Sequence, residues 1–237
     1  MRWTVVVAVI GQLVLISSSA LGQSDSTVST SRERRAARAW IIPLGIAASA
    51  LADPEMREWT QQRHSRSLDR LASVVNPLGT ASHLVPAMAV TYVGALVARR
   101  QSLASGTLVV AGAYIASDLV ESALKPLVGR ERPHVEGNSH RFHPFSTSGD
   151  WHSFPSAHVA HITAIAEAIS MQTHSRALTG VCDALVALVA WDRVYEDQHW
   201  TSDVAATAAL SSVVSRTAVH WLGARLNHSQ HGDGTAP

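Results

Sequence analysis

Hydrophobic and polar positions along this chain come in blocks rather than alternating residue by residue. The apolar runs AWIIPLGIAASALA (39–52), HLVPAMAVTYVGALVA (83–98) and LASGTLVVAGAYIASDLV (103–120) are followed by three more at 157–170, 179–191 and 203–222, with polar breaks between. Stretches this long, rich in Ala and Leu, exceed ordinary strand lengths and predict helices. No Asn-Gly or Asp-Gly pair separates alternating segments, so hairpins are not expected. The pattern predicts an all-α fold, a helical bundle of about six core helices. It forms one domain over residues 39–225, with a disordered tail at 226–237.

One interruption is long. Residues 129–154, GRERPHVEGNSHRFHPFSTSGDWHSF, make a connection longer than a compact domain ordinarily tolerates, and such loops usually carry function. The chemistry is therefore expected beside it, at one end of the bundle. The N-terminal stretch MRWTVVVAVIGQLVLISSSALG has Arg2, an apolar run and small residues ending at Gly22, the layout of a secretory signal. Its length also suits an uncleaved membrane anchor. The Ser-rich, polar residues 23–38 read as a flexible leader.

Composition narrows the partners. Nineteen Lys and Arg against eighteen Asp and Glu leave a formal charge of +1, so nothing recommends nucleic acid. The single cysteine, Cys182, allows no disulfide within the chain and reads as a buried, inert thiol.

Three polar clusters flank the long loop. The first, KPLVGRERP, holds Lys125 and Arg132 with six residues between them and Pro133 after; by itself it also suits a helix end whose dipole attracts cations. In the second, Pro155-Ser156-Ala157-His158, Ser156 reads either as a plain N-cap or as the start of an anion site at free helix amides, with His158 beside it. The third, DRVYEDQHWTSD, contains Arg193, His199 and Asp203. On a helix the last two, four apart, would share a face, letting the carboxylate hold the imidazole. A solvated polar turn is the plainer reading of this third cluster. It leaves unexplained three cations, two histidines and a carboxylate gathered at the same end of the helices.

Together the clusters resemble the signature of the type 2 phosphatidic acid phosphatase and vanadium haloperoxidase superfamily. That signature is Lys, six residues, Arg-Pro; then Pro-Ser-Gly-His; then Ser-Arg, five residues, His, three residues, Asp. The order and internal spacings agree from Lys125 to Asp203. Two positions depart: Ala157 stands where the family has Gly, and Asp192 where it has Ser. If residue 157 needed positive φ, a Cβ would cost about 1 kcal/mol or more. Asp192 is placed to compete for the Arg193 guanidinium or to repel a phosphate.

The resemblance implies a metal-independent phosphatase acting on phosphate monoesters or diphosphates, with no cofactor. Lys125, Arg132 and Arg193 would clamp the phosphoryl oxygens, with Ser156 and the Ala157 amide completing the cradle. His199 would be the nucleophile that forms a phosphohistidine, with Asp203 fixing its tautomer. His158 would protonate the leaving oxygen and then activate water. Rival readings are a soluble exported acid phosphatase, a vanadate-dependent haloperoxidase, and a catalytically dead binding homologue. A zinc site built from His158 and His161, or from His134, His140, His143 and His152, is a further rival that the neighbouring cations disfavour.

Family members include membrane-embedded lipid phosphatases and soluble exported enzymes. Mean hydropathy is only +0.09. Glu167, Asp183 and Arg216 would be costly if they faced lipid, whereas VARRQSLAS reads as a tight positive loop between spans. The expected arrangement is membrane-associated, with the site on the periplasmic or extracellular side and a phosphorylated lipid or small phosphoester as substrate.

Overall fold

The computed structural model describes residues 28–231, and side chains for residues 43–225. The signal or anchor assigned to residues 1–22 lies outside that range. The described residues are helical and contain no strand: α1 (Val28–Gln61), α2 (Arg66–Val75), α3 (Ala81–Val97), α4 (Gln101–Val128), the single turn α5 (Pro133–Glu136), α6 (Ala157–Thr173), α7 (Arg176–Tyr195) and α8 (Thr201–His231). The six long ones correspond to the six apolar runs. Short 3-10 turns occupy Asn76–Gly79 and Gly149–Trp151.

Three boundaries differ from expectation. Residues 28–38 belong to α1 rather than to a flexible leader, because the run RERRAAR is made of strong helix formers. The same helix passes Pro43 and Pro54 and ends at Gln61. Asp53, just before Pro54, is pinned by Ser202 and Arg130, so tertiary bonds override the break that proline encourages. At the other end α8 continues through 226–231, where no Gly or Pro intervenes before Gly232, so that part of the tail is helical. The short helix α2 was not foreseen; Ser65 caps it by accepting the Leu68 amide at 3.4 Å, and it buries Ala72 and Val75.

α6 is the centre of the bundle. It packs against α4, α7 and α8; α1 lies along α8, and α3 along α4. Val159, Ile162 and Ala166 of α6 meet Val186, Val189 and Ala190 of α7 and Val204 and Ala208 of α8, and Cys182 is buried among them. Burial pushes the Cys182 thiol up, in keeping with an inert role. A second cluster joins Val109 and Ala113 of α4 to Ala168 and Val219. Glu167 and Arg216 pair with each other between α6 and α8, with Nε to Oε2 at 3.0 Å, so neither is presented singly to an apolar surrounding. Large apolar side chains are exposed instead on α3 and α4, among them Val90, Val93, Val97, Ile115 and Leu119. By length and composition α4 could cross a membrane, and α2 with its 3-10 turn joined to α3 makes a second, bent candidate with a 53° angle.

Candidate active site

The last turn of α4, the first turns of α6 and α8, the end of α7 and the α2–α3 joint converge at one end of the bundle. Lys125 stands in that last turn of α4 and is ion-paired with Glu121 one turn earlier. Gly129 stops the helix at φ 59°, donating its amide to Lys125 O at 2.9 Å. A Cβ there would stand 2.0 Å from the His143 carbonyl oxygen, so both the left-handed backbone and the close approach of the loop demand glycine.

Beyond it the loop is stapled to itself rather than loose. Residues Arg130 and Phe142 form a bridge, and the Ser153 amide returns to Arg130 O at 3.0 Å. Arg132 is fixed at both ends: its amide donates to Asp150 O at 2.8 Å, and its guanidinium reaches Gly149 O and Gln198 Oε1, each at 2.8 Å. Gln198 directly precedes His199, which brings the first and third clusters into register.

α6 opens at Ala157, whose φ is not in the left-handed region, so the departure from Gly carries no backbone strain. The first intrahelical bond runs from Ala160 N to Ser156 O at 2.9 Å, which leaves the preceding amides at the positive end of the helix dipole. Ser156 is fully buried. Its amide donates to Thr207 Oγ1 at 3.0 Å, but its hydroxyl caps nothing and has no hydrogen-bond partner.

His199 is buried, with Nδ1 2.5 Å from Ser153 O. A carbonyl oxygen only accepts, so Nδ1 carries the proton and Nε2 the lone pair. Asp203 does not hold this ring as expected. Its carboxylate accepts from Arg130 Nη1 at 2.5 Å, Ser153 Oγ at 2.6 Å and the Trp200 amide at 3.0 Å. The reason is local: α8 begins at Thr201, so His199 precedes the helix, and Asp203 in the first turn turns back to cap it. Asp203 therefore acts on His199 through Ser153, whose hydroxyl meets the carboxylate while its carbonyl meets the imidazole.

Arg193, near the end of α7, is buried. Asp192 Oδ2 takes its Nε at 2.9 Å and also bonds Nη2, so the competition foreseen for Asp192 does occur. Nη2 reaches Asn76 Oδ1 at 2.8 Å as well. His158 Nε2 lies 3.0 Å from the same Asn76 oxygen and 3.1 Å from Thr80 Oγ1. Gly79, between them in the chain, has no room for a side chain: a Cβ would stand 2.6 Å from His158 Cβ and 2.9 Å from its Cα. Gly79→Ala is expected to cost about 1–3 kcal/mol by overpacking. It should also lower turnover by displacing His158, which unfolding curves and activity on one preparation will show.

A shared positive field ties the residues together. Burial, then Arg193, His161, Lys125 and Arg132, hold the His158 imidazole down to about 3. Burial, then Arg132, hold His199 well below the ordinary histidine range, with Lys125 and Arg193 acting the same way and the Ser153 carbonyl opposing. Both rings are thus neutral at neutral pH, and Lys125, Arg132 and Arg193 bear on both. Burial pushes the Asp203 carboxyl up to about 6 against the pull of Arg130, Ser153 and the Trp200 amide.

The structure thus gathers Lys125, Arg132, Ser156, Ala157, His158, Arg193, His199 and Asp203 at one end of the bundle. It adds Asp53, Asn76, Thr80, Ser153 and Thr207, which the three motifs do not contain, and Arg130 from within the first. Several of the histidines considered as zinc ligands serve separate partners. His161 lies between Gly79 O and Asp118, His134 meets Asp197 O, and His152 meets Ser146 O. Among the described residues no three or more His, Cys, Asp or Glu are grouped to hold a metal ion.

Comparison with known proteins agrees with this arrangement. The fold is similar to the crystal structure of LpxE from Aquifex aeolicus, with TM-score 0.56 and 17% identity over 70% of this chain and 93% of that one. It is also similar to the transmembrane PAP2 type phosphatidylglycerolphosphate phosphatase from Bacillus subtilis, with TM-score 0.58 and 16% identity over 91% of this chain and 94% of that one. At such identities the likeness is one of fold. A sequence search of curated proteins gives no match. The family model of the PAP2 superfamily matches residues 106–226, which is 121 of 237 and spans all three clusters. On that match, and on a helical bundle that brings the three clusters to one end, the chain belongs to the PAP2 superfamily.

Proposed function

We propose that this protein is a phosphatase that cleaves phosphate esters through a phosphohistidine on His199 without a metal ion, and that its substrate is a phosphorylated lipid. The observation that carries the reading is Ser156. Its buried hydroxyl has no protein partner and stands at the positive end of α6, in a field set by Lys125, Arg132 and Arg193. A hydroxyl buried unsatisfied costs about 1–3 kcal/mol, which an anionic oxygen docked there would recover.

In the reaction, the phosphate docks as a monoanion and passes its proton to His158, whose imidazolium the anionic oxygens stabilise against the surrounding cations. The His199 Nε2 lone pair then attacks phosphorus while the phosphorus–oxygen bond to the leaving group breaks, and the departing oxygen takes that proton from His158. Water then adds to phosphorus and gives its proton to His158, and the phosphorus–nitrogen bond breaks to return the lone pair to Nε2. The three cations balance the charge that builds on the equatorial oxygens, and they would oppose a divalent cation in the same place. Lys125 is aimed by Glu121, and Arg193 by Asp192 and Asn76. The charge at Arg193 is thereby partly offset before substrate arrives.

Support for a lipid comes from the rim. Leu71, Val74 and Val85 are exposed on either side of the Asn76–Gly79 turn and Leu78 within it, and Leu127 near Lys125 and Phe145 in the loop are exposed as well. A related fold belongs to a transmembrane phosphatase of phosphatidylglycerolphosphate. On this reading α4 and the bent α2–α3 pair sit in a bilayer, and the site opens on the exported side. Purified protein should release phosphate from a lipid phosphate in excess chelator and be inhibited by vanadate, whose trigonal bipyramid mimics the transition state. Activity lost to chelator and restored by zinc or magnesium would overturn the metal-free mechanism. Absence of phosphate release from any lipid or soluble ester would overturn the phosphatase.

A further inference from the structure

The 3-10 turn Asn76–Gly79 joins two helices outside the three motifs, yet its first side chain reaches both the acid–base histidine and a phosphate clamp. A guanidinium only donates hydrogen bonds, so the Asn76 atom 2.8 Å from Arg193 Nη2 is the amide oxygen. That oxygen also faces His158 Nε2 at 3.0 Å, and an oxygen that only accepts requires Nε2 to carry a proton. Thr80 agrees with this. Its hydroxyl hydrogen is spent on Asn76 O at 2.9 Å, so toward Nε2, at 3.1 Å, it too can only accept. The neutral His158 ring is therefore the Nε2–H tautomer, with its lone pair on Nδ1.

We propose that Asn76 is a positioning residue of the phosphoryl-transfer site: its carbonyl oxygen ties the His158 ring to Arg193 and fixes the tautomer, making Nδ1 the atom that gives and takes the proton. The proposal rests on the phosphatase reading above. The choice of an amide matters because of what else surrounds the ring. Arg193 comes from α7 with Asp192 behind it, His161 from α6 with Asp118 behind it, Lys125 from α4 with Glu121, and Arg132 from the loop. The α2–α3 turn contributes only the uncharged Asn76 and Thr80. An amide holds the ring in place without adding an anion to offset those cations, so the ring remains a base ready for the water step. A carboxylate at position 76 would place an anion against Nε2 and raise the histidine.

Two measurements on the full-length protein test this. The first needs no turnover: with histidine labelled by nitrogen-15, long-range proton–nitrogen correlation reads the tautomer, and the ring is assigned by its loss in His158→Gln. Wild type should show a protonated Nε2 and a bare Nδ1, and Asn76→Ala should show a tautomer mixture. Protonated Nδ1 in wild type, or an unchanged tautomer in Asn76→Ala, overturns the proposal whether or not the chain is a phosphatase. The second compares an alkyl phosphate, whose leaving oxygen needs a proton, with nitrophenyl phosphate, whose leaving group does not. Asn76→Ala should slow the first by roughly tenfold to a hundredfold more than the second. In Asn76→Asp the alkaline limb for the alkyl phosphate should move up by about one pH unit or more, because the imidazolium persists to higher pH. Equal losses on both substrates with an unmoved limb mean a merely structural role and overturn the proposal. If Asn76→Ala does not fold, the wild-type tautomer and the Asn76→Asp limb decide.

Discussion

His199→Ala should form no phosphoenzyme with any substrate, and turnover should fall by about 10⁴-fold or more. The expectation follows from position. His199 Nδ1 is committed to Ser153 O, so its lone pair is on Nε2, and burial under three cations keeps that lone pair free of protons through the working pH range. His158 is neutral too, but its Nε2 is committed to Asn76 and Thr80. His158→Ala should therefore behave differently. With nitrophenyl phosphate the first step survives in part, while hydrolysis of the phosphohistidine slows for want of a base, so phosphoenzyme accumulates. Rapid quenching with labelled substrate, under alkaline conditions that preserve phosphohistidine, reads both variants. Label retained in His199→Ala, or label on His158 in wild type, would reverse the two roles.

Arg130→Met should destabilise the protein by about 3–5 kcal/mol, a large share of a typical stability of about 5–15. Arg130 is buried between two carboxylates, with Nη2 2.8 Å from Asp53 and Nη1 2.5 Å from Asp203, and it also bonds Ser202 Oγ at 2.8 Å and Ser139 O. Removing it leaves both carboxylates without their cation. The loss should depend on pH in a defined sense. Asp203 already stands at about 6, raised by burial against the pull of Arg130, and without Arg130 it rises further. A carboxyl raised above its unfolded value binds its proton in the native state first. Its penalty is therefore absent below the unfolded value near 4, and grows as pH rises through the folded one. Unfolding curves at pH 4 and pH 7 should show the variant closest to wild type at the lower pH. A uniform deficit would mean that lost packing, not charge, is responsible.

How far the sequence could be read depended on which interactions are local. Block patterning located the six long helices, and fixed spacings located the cations and histidines, because both are properties of neighbouring residues. α2 escaped notice because ten residues with one apolar face barely interrupt a polar stretch. The pairing of His199 with Asp203 was misread for a sharper reason. A spacing of four is a shared face only inside a helix, and the helix starts two residues after His199. Arg130 and Arg132 stand two apart in GRERP, and nothing local tells which turns inward to carboxylates and which faces the site. That is decided by Asp53, far upstream in α1. Asn76 is invisible for the same reason, since its significance lies wholly in side chains 82 and 117 residues away.

The Asp53–Arg130–Asp203 bridge bears on how such a protein can be cut and recombined. The matched family segment begins at residue 106, yet the carboxylate that completes the charge balance beneath Asp203 lies at residue 53 and the tautomer anchor at residue 76. Expressed from residue 106 onward, the segment would keep every motif residue and lose both supports. A chimera that takes its first three helices from a relative inherits the motifs intact, but it inherits the acid beneath Arg130 only if the donor supplies one at the position of Asp53. The unit that can be moved between proteins is therefore longer than the unit that can be recognised.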